Sequence, residues 1–274
     1  MGTLELGCPM QCRCCRSSEL VNVYNGRIRD GSFGNATDAE YGVLKCQSCL
    51  VRFLHPFPEH GASFYQTAEY REKYDGSADV AAFHKLHDHI QGERISLIGL
   101  ERLRNKAVAD VGTGAGAFLD AIYGIASETV AVEPALFWKD HLEKKHRWHP
   151  SIDQLVASRQ LVDMVVSFET IEHVIDPSSL VAGMASILRP GGEVLLTTVN
   201  CDSIYDKLLK DDWDRFNYRS AHLYYFEATS LRALLKSAGF RDVRISYNHE
   251  YDLSNLCMWL KEKRPTGVGK VDLF

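Results

Sequence analysis

The chain has 274 residues, 45% of them hydrophobic and 24% charged, enough for a full core and unlike disordered, collagen-like or coiled-coil chains. Its 31 basic and 36 acidic residues leave a net charge of −5, so a general nucleic-acid coating role is disfavoured. No apolar run reaches the roughly 18 residues of a membrane helix, and the start lacks the basic and apolar regions of an export signal, so a cytoplasmic protein with no membrane partner is expected.

Six of the eight cysteines lie in the first 49 residues: Cys8, Cys12, Cys14, Cys15, Cys46 and Cys49. Without an export signal, disulfides are disfavoured and a shared metal ion is expected. Two CxxC turns, Cys12 with Cys15 and Cys46 with Cys49, each aim two thiolates at one centre and together complete a zinc tetrahedron. Cys8 with Cys12, or Cys12 with Cys14, could supply the first pair instead. Four thiolates leave no open position for water, so the zinc is expected to be structural. Residues 20–24 and 41–45 read as strands between the pairs, with Asn25-Gly26 and Asp30-Gly31 as turns. Acidic and basic side chains balance over residues 1–60, which forces no basic face.

His55-Pro56-Phe57-Pro58 forms a rigid exit from this module. Tyr65 and Tyr70 follow, then a helical stretch over residues 79–104 with one apolar face. His84, His87 and His89 fall in it and read as a solvated or packed face.

Residues 107–111 form a short apolar run suited to a buried strand. Asp110-Val111-Gly112-Thr113-Gly114-Ala115-Gly116 comes next, and residues 117–122 start a helix. Strand, glycine turn and helix is the arrangement that cradles nucleotides, because glycines allow positive φ and close backbone approach. A second strand, residues 129–132, ends in Glu133, where a carboxylate can accept both ribose hydroxyls. Dinucleotide binders place the third glycine three residues after the second. Here the interval is two, and Asp110 before the loop would repel a pyrophosphate and suit a cationic ligand.

Residues 108–116, 130–134, 163–174 and Leu188-Arg189-Pro190-Gly191-Gly192 together resemble, in order, the motifs of a class I S-adenosylmethionine-dependent methyltransferase. The resemblance implies an α/β fold: a seven-stranded Rossmann-like domain preceded by a small zinc-ribbon-like module. It divides the chain into a zinc-binding module (1–60), a helical linker (61–105) and the S-adenosylmethionine-binding domain (106–274). By the family pattern the backbone of Gly112, Thr113, Gly114 and Gly116 cradles the methionine part and Asp110 helps orient it. Glu133 holds the ribose, Asp153 lies where the adenine edge is met, and Glu169 faces the cleft. His173 and His222 are candidate bases, and Tyr224 is expected to shape the acceptor pocket. Trp213, Phe216 and Tyr218 fall in an insert that commonly covers the acceptor.

Residues 12–20, 44–49 and 53–56 resemble the zinc leader of a methyltransferase subgroup common in surface-polysaccharide and antibiotic-sugar gene clusters. This implies a sugar or sugar-nucleotide acceptor. No Asn/Asp-Pro-Pro-aromatic quartet follows the fourth strand, which disfavours adenine N6 methylation. No Pro-Cys pair supplies a nucleophile for cytosine C5, and no carboxylate trio marks a magnesium site of the catechol type. Residues 229–238 read as a helix stopped by Gly239. Residues 242–247 and 255–260 read as the sixth and seventh strands. Two other readings compete: an RNA methyltransferase with a zinc substrate reader, and a non-catalytic binding protein on a degenerate fold.

Overall fold

A computed structural model describes residues 10–31, 34–58, 65–248 and 252–262. Cys8 and the end of the tail lie outside the described residues. Three short strands come first: β1 (Leu20–Gly26), β2 (Tyr41–Cys46) and β3 (Arg52–His55). They pair antiparallel, as the turn residues between the first two suggest.

The main sheet follows. It contains β4 (Ala107–Val111), β5 (Glu128–Val132), β6 (Arg147–His149), β7 (Val162–Phe168) and β8 (Leu188–Thr197), all parallel, in the order β6-β5-β4-β7-β8. Every residue of β4 is buried, as a parallel strand covered on both faces requires. Strand order reverses between β4 and β7. That reversal opens a crevice at the carboxyl ends of the strands, the ligand-binding place of open α/β sheets.

Helices cover both faces. On one, Phe118, Leu119, Trp138 and Leu142 pack with Phe83, Ile98 and Leu103. On the other, Leu155, Val181, Met184 and Leu234 pack with Cys12, Cys46, Val51 and Phe53 of the N-terminal module. A ninth strand, β9 (Tyr224–Tyr225), pairs with β3 and completes the first sheet from the far end of the chain. Module and main domain therefore share one sheet and one core.

Three expectations about strands change. The sheet has five strands, not seven. Residues 242–247 run without a strand partner among the described residues. Residues 255–260 belong to the helix Leu253–Glu262, not to a strand. Asp252 caps it by accepting from Asn255 N–H at 2.9 Å, and Leu256 and Trp259, three apart, are its buried stripe. A short, largely apolar run is ambiguous between strand and helix, and here docking of Leu256 and Trp259 against Tyr205 and Trp213 decides.

A helix, Glu69–Asp75, precedes the stretch expected over residues 79–104, which is itself not one helix but three, Val80–His87, Gln91–Ile98 and Leu100–Leu103. Asp79 caps Val80–His87 by accepting from Ala81 and Ala82 N–H. Phe83, Ile98 and Leu103 enter the core, so the segment is a packed cover over the crevice.

Candidate active site

The glycine loop leaves β4 with positive φ at Gly112, Gly114 and Gly116. Side chains are excluded there by space as well as by conformation. A Cβ on Gly112 would lie 2.2 Å from Thr170 Oγ1, and one on Gly114 would lie 2.6 Å from the Phe83 ring. The loop is thus squeezed between the exit of β7 and the helix carrying Phe83.

Asp110 is buried in β4. Its Oδ2 accepts from the Thr113 hydroxyl at 2.8 Å, whereas Oδ1 has no partner. Burial pushes this carboxyl up to about 7, against the Thr113 bond and the Arg94 charge. Glu133, just past β5, accepts from Gly114 N–H at 2.8 Å and from Ala135 N–H at 3.0 Å. Burial raises its pKa, and the charge of Arg71 pulls it back. Each carboxylate oxygen keeps a lone pair for a further donor. Both side chains fit a cofactor carrying an ammonium and a ribose diol. Asp153 is exposed in the first turn of the helix Ile152–Ala157, beyond β6. Glu169 is exposed at the end of β7 with φ +49, its N–H held by Thr197.

Beside this loop lies a second group. The exit from β7 brings Glu172 and His173 to His222, with one donor atom of each within 4.8 Å of the others. His173 Nδ1 lies 2.6 Å from the carbonyl of Ala221, so this nitrogen carries the proton and donates. Tyr65 also donates to that carbonyl, at 2.6 Å. Glu172 Oε2 accepts from Thr198 Oγ1 at 3.0 Å, and its Oε1 has no partner. His222 Nδ1 is likewise buried without one. Burial, then the Glu169 carboxylate, holds Glu172 well above the usual carboxylate range. Burial pushes His173 down to about 3 and holds His222 well below its ordinary value. Both imidazoles are neutral at pH 7.

Several side chains here carry no role in the sequence pattern. Glu172 is one. Tyr65, Tyr70 and Tyr74 stack in series over His173, with centroids 5.0 Å apart in each pair and Tyr65 5.3 Å from the imidazole. Arg71 lies over the Tyr70 and Phe83 rings, and its charge acts on both Glu133 and His173. Arg94 stacks on Phe168 at 4.1 Å, facing Asp110.

Other candidates go elsewhere. The hydroxyl of Tyr224 donates to Ile175 O at 3.0 Å, and its ring packs on Phe53 and Phe57. It ties the module to the exit of β7. Trp213 and Phe216 join Tyr205 and Trp259 in a separate aromatic core. Tyr218 accepts from Arg52 of the module at 3.1 Å. His84 meets Asp120 and His141, where Asp120 already accepts from Lys145 at 2.7 Å.

Cys12, Cys15, Cys46 and Cys49 converge, with all four sulfurs within 4.8 Å of one another. Cys12 Sγ lies 3.6 Å from Cys49 Sγ, and Cys15 Sγ 3.5 Å from Cys46 Sγ. Zinc–sulfur bonds of about 2.3 Å put tetrahedral sulfurs about 3.8 Å apart, so this set fits the ion. Cys14 stands outside it and packs toward the main core.

Residues 83–245 match the family model described as a methyltransferase domain. The ubiquinone biosynthesis O-methyltransferase of Cupriavidus pinatubonensis is 31% identical over 128 residues, covering 43% of this chain and 51% of that one. Its counterpart from Coxiella burnetii is 24% identical over 173 residues, covering 56% and 71%. Among the curated relatives it matches, the chain spans about half the length of the first. A solved S-adenosylmethionine-dependent methyltransferase from Archaeoglobus fulgidus superposes with a TM-score of 0.51 at 21% identity, over 68% of this chain and 79% of that one. The chain belongs to the methyltransferase-domain family, and the fold is that of an S-adenosylmethionine-dependent methyltransferase.

Proposed function

We propose that this methyltransferase-domain protein methylates a hydroxyl of a small molecule, with S-adenosylmethionine as donor. One observation carries the reading: a glycine cradle flanked by Asp110 and Glu133 stands in one crevice beside the Glu172–His173–His222 group. The names of the curated relatives favour oxygen as the acceptor atom. A sugar or sugar-nucleotide acceptor rests on the resemblance of the cysteine leader alone. It belongs in the test as one class of hydroxyl compound.

The cofactor supplies a methyl on a sulfonium, which leaves as a neutral thioether and needs no proton. The chain must then position the acceptor and deal with its hydroxyl proton. The backbone of Gly112, Thr113, Gly114 and Gly116 receives the methionine part. Asp110 would hold the ammonium, Glu133 the ribose and Asp153 the adenine edge. Glu169 borders the cleft, and Glu172, His173 and His222 meet the acceptor. Tyr70 and Tyr74 cover that side. Cys12, Cys15, Cys46 and Cys49 would hold a structural zinc ion.

Incubation with methyl-labelled cofactor and separate panels of phenols, sugars and sugar nucleotides tests this reading. Label is expected on an oxygen of one panel. Cofactor binding with no transfer to any panel would favour the non-catalytic reading instead.

A further inference from the structure

We propose that Glu172, His173 and His222 bind a divalent cation, separate from the cysteine site, that holds the acceptor oxygen. The donor set argues for it. One donor atom of each side chain lies within 4.8 Å of the others. Bonds of about 2.1 Å to one ion would put donors about 3.4 Å apart, a small closing movement of side chains.

Each ligand is already oriented from behind. His173 donates Nδ1–H to Ala221 O at 2.6 Å, which leaves the lone pair on Nε2. Glu172 is steadied by Thr198 on Oε2, which leaves Oε1 bare. Outer hydrogen bonds of this kind fix the tautomer of a metal-binding histidine and the rotamer of a metal-binding carboxylate.

Two buried polar atoms, Glu172 Oε1 and His222 Nδ1, have no partner. The carboxylate oxygen and His173 Nε2 are both acceptors, and His222 can offer a third. A divalent cation would take all three ligand atoms at once, replacing the proton that burial keeps on Glu172. The Glu169 carboxylate adds favourable charge, while Arg219 and Arg29 near His222 oppose it. Two imidazoles and one carboxylate suit manganese, iron, cobalt or zinc better than magnesium, and leave positions open for oxygen ligands.

The place fits the role. Thr170, between Glu169 and Glu172, stands against Gly112 of the cofactor loop. An acceptor hydroxyl on the cation would lose its proton to water more readily. Its oxygen would then form the bond to the methyl as the methyl–sulfur bond breaks. This role rests on the methyl-transfer reading, whereas binding of the cation does not.

The test uses the full chain with its cysteine site loaded with zinc. Titration with Mn2+ is followed by the resonance of the free ion, and bound zinc is counted in parallel. One Mn2+ per chain is expected beside one zinc, with nitrogen hyperfine coupling from imidazole. Glu172→Gln and His222→Gln should each weaken Mn2+ at least tenfold and leave zinc unchanged. Titration of S-adenosylmethionine in the same preparations checks that the variants are folded. Failure of wild-type protein to bind Mn2+ or Co2+ beyond the zinc would overturn the proposal, as would bound Mn2+ without nitrogen coupling. Mn2+ affinity unchanged from wild type in both variants would do so too. Mn2+ binding without any cofactor binding would leave this proposal standing and remove the methyl-transfer reading.

Discussion

Asp110 has one oxygen on Thr113 and the other bare, and burial lifts its carboxyl from the ordinary 3.8 to about 7. The folded chain thus keeps a proton that the unfolded chain gives up near pH 4. This group's contribution to stability falls as pH rises from about 4 to about 7. Pairing with the cofactor's ammonium reverses the preference, because the ionised form is then favoured. Affinity for S-adenosylmethionine should rise with pH between 5.5 and 7, by up to about tenfold per unit, and Asp110→Asn should abolish that slope. Calorimetry at several pH values reads it, and an equal slope in the variant would contradict the assignment. Glu133→Ala should weaken cofactor binding by about 1–3 kcal/mol, the cost of losing charged hydrogen bonds. Unchanged affinity would remove Glu133 from the ribose site. Both carboxylates were legible in sequence because they sit at fixed offsets from one glycine loop. Tyr65 has no role legible in sequence, since its meeting with His173 spans 108 residues and no local pattern records it.

Among the elements, the glycine loop is the one whose local rules and tertiary surroundings agree. Positive φ at Gly112 calls for glycine, and so does Thr170 at 2.2 Å from a would-be Cβ. Gly112→Ala should therefore destabilise the fold by about 2–5 kcal/mol, combining backbone strain and overpacking. Urea unfolding measures it, and a loss under 1 kcal/mol would mean that the loop relaxes freely. The C-terminal end is the opposite case. Residues 255–260 are a short apolar run that suits strand or helix equally, and only docking of Leu256 and Trp259 against Tyr205 and Trp213 selects the helix. The four helices before β4 were partly legible. Their apolar face showed in the sequence, but their role as a cover over Gly114 depends on Phe83 and Arg71 reaching it in space.

For the whole molecule, the decisive contact is the pairing of β3 with β9. It makes the cysteine module and the segment following His222 parts of one sheet. Ser178 Oγ donates to the carbonyl of Cys14, and Tyr224 reaches Ile175, adding two more ties near the exit of β7. The cysteine spacing made the four-sulfur cluster legible, but nothing in the spacing told that the module would enter the main core. If zinc holds the module, its removal by a chelator, or Cys46→Ser, should lower the unfolding temperature of the entire chain in one transition. Scanning calorimetry with zinc counted in the same sample checks this. A detached low-temperature transition with the main one unmoved would show that the module folds by itself.

Native mass spectrometry of the full chain, with and without S-adenosylmethionine, tests cofactor binding in the crevice most directly. One cofactor molecule per chain is expected, lost or weakened in Glu133→Ala. A chain that takes up none at saturating concentration would contradict the methyl-transfer function at its root.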